Sequence, residues 1–388
     1  MRLLTAVLVL AAVASAAPAD DTNPEFNGKT LSEWSTMLRE SQSARLRKVA
    51  VVAVGQIAAD HQEKTKLVKD IMTAVGKALR NDSAVAVRAE AARVLGKAAI
   101  QLQDDRAADV GSVVIDLSEG LRVEKEAEAK LEAATALGRY GKLAKPAVQT
   151  LAAAAADKDA KVQAAAATSL GRIGPDAKAA DSDLLPLLKS PDAAVRKAAA
   201  FALGRIEPDD VVKASAALAP LLKSEKDADL RAEVVTSLGM LGDKSQETVK
   251  AVGAALTDDS VDVRRLAAQA LAKFFVGAKA AATELQAAFS SDSDKLVRAY
   301  ALRALSVGLA DDAKQLIPVL TARLDPVVEK EPEVRIAVCD ELGGLGADGQ
   351  PAVPALRTAQ KDPNTKVRDA ATAAIKKVTA KPAPKADK

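Results

Sequence analysis

The sequence predicts an all-α fold in which two-helix repeats stack side by side as a solenoid. Three observations carry that expectation. A phrase of the form Val/Leu-Arg-x-x-Ala-Ala-x-Ala-Leu-Gly returns ten times, clearest at residues 87–96, 195–204 and 230–239. Its Arg position falls at 47, 88, 130, 163, 196, 231, 264, 298, 335 and 368, with spacings of 33 to 42 residues. That is the period of a stacked-repeat array, which grows in one dimension and needs no second core even at 388 residues. Composition agrees: 49% of the chain is hydrophobic but only 2% is aromatic. Alanine, the best helix former, therefore carries the apolar content, and the residue types that build extended sheets are too sparse. The third observation is a helix-start signal. Ser43, Asp159, Asp192, Asp227, Ser260, Asp294 and Asn364 each stand four residues before the repeat Arg position, where a short polar side chain can cap a helix.

Taken in chain order, residues 1–17 place Arg2 before an apolar run, Leu3 to Ala14, followed by the small-residue site Ala14-Ser15-Ala16. This is the layout of a cleavable export signal, and the run is shorter than the ~20 residues a membrane span requires. No Cys follows it as a lipidation site. Residues 18–29 read as a linker. Thr30-Leu31-Ser32-Glu33 forms a capping-box pattern, with Trp34, Met37 and Leu38 behind it at helical spacing. Trp34 is the one Trp of the chain and is expected to seal the open end of the core.

The solenoid is expected over 30–378. In one repeat, residues 183–189 end a first helix, A. Ser190-Pro191-Asp192 is the turn, and a second helix, B, runs from about Ala193 to Ile206. Val195, Ala199, Leu203 and Ile206 recur at i, i+4, i+8 and i+11, one face of a helix. Gly141, Gly174, Gly242 and Gly346 sit where a left-handed residue closes a helix. The two long N-terminal spacings and the charged insertion 101–128 read as helix extensions. Residues 325–332 read as a longer A–B turn, and the Lys/Pro/Ala-rich stretch 379–388 as a disordered tail.

The repeat Arg is out of place electrostatically, because the first turn of a helix disfavours a cation. A carboxylate in the turn of a neighbouring repeat is expected to hold it. Arg47, Arg88, Arg196, Arg231, Arg264, Arg298, Arg335 and Arg368 would then form a structural ladder, weakened where Lys130 and Gln163 replace the Arg.

The phrase Asp-x-x-Val-Arg-x-x-Ala-Ala-x-Ala-Leu-Gly-x-Ile-Gly resembles the HEAT family in its short, phycobilisome-lyase-like form. The resemblance covers about 30–378 and implies a right-handed α-solenoid of about ten stacked two-helix repeats. Ankyrin and tetratricopeptide repeats share the period, but neither Thr-Pro-Leu-His nor Trp-x-x-Leu-Gly occurs.

These features point to an exported, non-enzymatic scaffold, periplasmic or secreted, that binds protein partners. The formal charge is +3; the segment from Lys376 holds five lysines and one aspartate and Arg2 adds one more, leaving the body at −2. A near-neutral body poor in aromatics does not make a nucleic-acid face. The alternative is an enzyme of the HEAT-like class. Hydroxylases of that class use several His-Glu pairs, whereas this chain has the single His61, followed by Gln62. Bilin lyases act on antenna proteins that an exported chain would not meet. No metal or cofactor is expected, and Cys339, the one cysteine, reads as a small packing residue. A passive spacer is a third reading.

The candidate partner surface is the concave B-helix face. Arg139, Arg172 and Arg205 follow Leu-Gly in consecutive repeats. Thr168 and Phe201 lie beside them, with Phe201 as an exposed aromatic anchor.

Overall fold

The computed structural model describes residues 22–99, 107–308 and 314–380. The expected signal peptide, the tail from residue 381 and the first residues of the 101–128 insertion lie outside the described residues. Apart from one small hairpin, the described elements are helices, and the chain divides into two compact units between Ala136 and Leu137.

The first unit opens on that hairpin, in the stretch expected as a linker. Glu25–Phe26 pairs antiparallel with Lys29–Thr30 across Asn27 and Gly28, both at positive φ (51° and 74°). An Asn-Gly pair in this conformation makes the tight hairpin turn whose twist matches its strands. Thr30 and Glu33 then close the capping box of helix Leu31–Glu40. Trp34 is buried and its Nε1 donates to Phe26 O at 2.8 Å, which ties the hairpin to this helix. The unit continues with Ala44–Asp60, Thr65–Asn81, Val85–Ala98 and Ala107–Val123. Three of these run 17 residues, which accounts for the long N-terminal spacings.

The second unit holds the regular repeats. Its B helices are Ala160–Ile173, Ala193–Leu203, Ala228–Leu241, Val261–Lys273, Lys295–Gly308, Pro332–Gly344 and Thr365–Thr379, and each packs on the next. The A segments are less regular. Several open with 3₁₀ turns, as at Gly141–Ala147 and Gly346–Ala352. Pro186, which lacks an N–H, splits another into Asp181–Leu184 and Leu185–Lys189.

The B-helix periodicity is that of the core. Val195, Ala199, Leu203 and Ile206 are all fully buried, and each Leu- or Ile-sized side chain contributes about 1.5–3 kcal/mol. The glycine of Leu-Gly has a packing role. A Cβ at Gly171 would stand 2.8 Å from Ala202 Cα, and one at Gly204 would stand 2.7 Å from Ser237 Cα. Adjacent B helices therefore touch backbone to backbone at this point.

Six of the seven expected caps accept a backbone N–H from the first turn: Ser43, Asp159, Asp192, Asp227, Asp294 and Asn364. Ser260 does not; its helix starts without a side-chain cap. The closing glycines Gly141, Gly174, Gly242 and Gly346 all have positive φ. One repeat after Gly174 the same position holds Glu207, forced to φ 52°.

Candidate interaction surface

The repeat arginines are structural, and their geometry recurs. In the first unit Arg47 sets Nε and Nη2 on Asp82 at 2.7 and 2.8 Å, and Arg88 sets them on Glu124 at 2.6 and 2.8 Å. In the second unit the same fork joins Arg196 to Glu225, Arg231 to Asp258, Arg264 to Asp292, Arg298 to Glu329 and Arg335 to Asp362. Bidentate charge-assisted pairs of this kind are the strong ones. Each arginine's Nη1 also donates to a carbonyl of its own A–B turn, as Arg196 does to Ser190 O at 2.8 Å and Arg335 to Glu329 O at 2.6 Å. The guanidinium thus ties two turns together, which explains a cation in the first turn of a helix.

Every acceptor occupies one sequence position, six residues before the next repeat's Arg position: 82, 124, 225, 258, 292, 329 and 362. The exceptions match. Gln163 is followed one repeat on by Ser190 in place of an acid, and Gln163 keeps only the bond to its own turn, Nε2 to Asp157 O at 2.7 Å. Ser41, with no described repeat before it, is also not acidic. The last arginine, Arg368, donates to Asp362 O, Pro363 O and the Thr365 hydroxyl, with no carboxylate among the described residues. The acid at this position also accepts the N–H two residues on, as Asp362 does from Asn364 at 2.8 Å. Burial pushes Asp362 up, but the hydrogen bonds and charge of Arg335, with the Asn364 N–H, outweigh it and hold the carboxyl below its ordinary range. The same balance holds Asp82, Glu124, Asp258 and Glu329 low. The 325–332 turn belongs to this system: Glu329 is fully buried between Arg298 and Arg323.

The five partner-surface candidates do not share one state. Arg139 and Arg172 are exposed at the C-terminal ends of the B helices Ala127–Arg139 and Ala160–Ile173, and their side chains make no hydrogen bond or ion pair among the described residues. Thr168 is half-buried one helical turn before Arg172 on the same helix. Phe201 is not an exposed anchor. It is half-buried against Gly171, whose absent Cβ would lie 2.7 Å from the ring. Arg205 covers it, with the guanidinium 3.7 Å from the ring centroid, and Arg205 Nη1 donates to Phe201 O and to Glu233 at 2.9 Å. The reason is local: a Phe between a helix C-terminus and an Arg four residues on finds both an apolar wall and a cation.

The chemically distinctive residues are occupied structurally. The His61 ring donates from Nδ1 to Ile57 O at 3.0 Å at a helix end. Cys339 is fully buried, and burial pushes its thiol up to about 12, far from the thiolate a nucleophile needs. Among the described residues no group of three or more His, Cys, Asp or Glu could hold a metal ion, and no helix is long and apolar enough to cross a membrane.

The acceptor acids were the part that sequence reasoning missed. Their signal is the fixed offset of six residues before the Arg, together with the joint change to Gln163 and Ser190.

No curated protein matches the chain. A crystal structure of an engineered protein has the same fold, with a TM-score of 0.61 and 21% identity over 90% of this chain and 99% of the other. The family described as HEAT repeats matches three overlapping stretches, residues 116–204, 181–272 and 215–306. Together the matches span residues 116–306, where the chain carries the period and phrase described above.

Proposed function

We propose that this protein is an exported, non-catalytic scaffold that captures protein partners on the B-helix layer around Arg139 and Arg172. One observation carries the reading: these two guanidiniums stand exposed in consecutive repeats with no ion pair among the described residues, while the repeat arginines at 47, 88, 196, 231, 264, 298 and 335 are spent on the ladder. Stacked repeats align equivalent positions in a row and so offer an extended surface to a partner. A catalytic reading has little to build on. His61 and Cys339 serve the fold, and the ladder carboxylates are neutralised by arginine. Export rests on residues 1–17, whose basic start, apolar run and small-residue site are those of a cleavable signal.

Affinity capture from the native host's envelope fraction tests the binding. The wild-type chain should retain a partner that an Arg139→Glu/Arg172→Glu chain of unchanged helicity releases. Equal retention by both would move the site elsewhere. N-terminal sequencing of the native protein should begin at Ala17 or Pro18, and a retained Met1 would end the export reading.

A further inference from the structure

The B-layer arginines differ in one respect that bears on what binds them. Arg205 is neutralised: Glu233, on the next B helix, accepts its Nη1 at 2.9 Å, and Phe201 lies under its guanidinium. Glu233 stands two residues after the repeat Arg position. The same position is Ala165 in the repeat after Arg139 and Ala198 in the repeat after Arg172. The built-in counter-ion is therefore missing twice in succession, and the residues that replace it are small enough for a chain to lie close to the helices. Thr168, half-buried one helical turn before Arg172 on the same helix, offers a hydroxyl on this layer.

We infer that Arg139 and Arg172 form a receptor for an acidic peptide segment, two of whose carboxylates supply the charges that Ala165 and Ala198 omit. This rests on the partner-binding reading above and names the partner's chemistry. Spacing sets the motif. Packed helices lie about 8–10 Å apart, and the close contact of Gly138 on Ser169, where a Cβ would stand 3.1 Å from the Ser169 Cα, fits the near end of that range. An extended polyproline-type chain has three residues per turn and rises ~3.1 Å per residue. Acids three apart therefore fall on one side of it, ~9 Å from each other. The favoured ligand is an Asp/Glu-x-x-Asp/Glu segment in an extended conformation. The helix C-termini carrying both arginines favour cations on their own account, which explains why the arginines are tolerated but not why their partners are absent.

The test uses the full chain and a fluorescent peptide with Glu-Pro-Pro-Glu at its centre, read by anisotropy at low salt. Binding should be saturable and weaken as salt rises. It should fall at least about tenfold for the Gln-Pro-Pro-Gln peptide and for Arg139→Glu/Arg172→Glu, each contact being charge-assisted. Ala165→Glu keeps both arginines and sets a carboxylate where Glu233 stands relative to Arg205. It should weaken the peptide severalfold with helicity and melting retained. Equal binding of the Gln peptide, indifference to Ala165→Glu, or comparable binding to a phosphodiester oligomer or to vesicles rich in phosphatidylglycerol would each overturn the inference. Should envelope capture depend on Arg139 and Arg172 while the Glu peptide fails to bind, the partner surface would stand and the acidic-segment assignment would fall. Should capture be indifferent to both arginines, the surface itself would be wrong.

Discussion

Arg335→Ala is the most informative single substitution in the ladder. Arg335 is 2% exposed and its partner Asp362 is fully buried, with Nε and Nη2 at 2.8 and 2.9 Å from the carboxylate and Nη1 at 2.6 Å from Glu329 O. Truncation leaves the buried Asp362 carboxylate with the Asn364 N–H and no cation in the fork, and also frees Glu329 O. Breaking a buried pair from one side costs about 3–5 kcal/mol, whereas an exposed pair is worth about 0–1 kcal/mol. The expected loss is in the first range. Arg335→Met/Asp362→Asn, which removes both charges, should recover much of it. Urea unfolding followed by circular dichroism reads the total. Hydrogen exchange in the helices Pro332–Gly344 and Thr365–Thr379 reads the local share, because repeat arrays open in segments. A loss below about 1 kcal/mol, with no recovery in the double variant, would refute the view that the buried fork holds these turns together.

The ladder carboxyls give a pH dependence of definite sign. Asp82, Glu124, Asp258, Glu329 and Asp362 are held below their ordinary values. Their contribution is complete above the ordinary carboxylate range of ~3.9–4.3 and is lost as pH falls through the lowered folded values. The urea midpoint should hold near pH 6 and drop steeply below about pH 4; a flat midpoint down to pH 2.5 would contradict this. Asp294 is held lowest, at about 2, chiefly by its hydrogen bond from Arg265, so the helix cap it provides should outlast the ladder on acidification, visible as late exchange at Leu296 and Val297. Glu207→Gly removes a side chain from a left-handed position that costs roughly 1–2 kcal/mol. After the added freedom of the unfolded chain, melting should rise by a few degrees; a lower melting temperature would mean that the Glu207 side chain compensates. Gln163→Arg/Ser190→Asp writes in the missing rung and should stabilise the repeats around 163–203 more than either single change, and strict additivity would show that the rung does not form.

The solenoid was legible because each repeat states its structure locally. The caps at Asp192 and Asn364, the stripe Val195-Ala199-Leu203-Ile206 and the closing glycines all act within one repeat. What lay hidden acts between repeats. The acids of the ladder sit about 27 to 36 residues from the arginines they hold, and only aligning the turns of successive copies reveals their offset. The glycine of Leu-Gly likewise looks like part of a phrase until the neighbouring helix is in place and fills the room a Cβ would need. Phe201 was misjudged for the same reason: one helix viewed alone exposes it, while Gly171 on the preceding helix and Arg205 one turn on cover it. The hairpin at 25–30 was carried by Asn27-Gly28, a signal that two-residue strands are too short to frame. Among the surface candidates, sequence identified Arg139 and Arg172 by their alignment, but not that Arg205 in the same series is already neutralised.

On the reading proposed above, the B-helix layer around Arg139 and Arg172 is the surface that meets a partner. A photo-crosslinking amino acid at Thr168, compared in the native host with one at Gln149, an exposed A-helix position of the same repeat, tests it directly. One discrete protein adduct is expected from position 168, lost on Arg139→Glu/Arg172→Glu and absent from position 149. An adduct from position 149 alone, or one from position 168 that persists when both arginines are reversed, would contradict it.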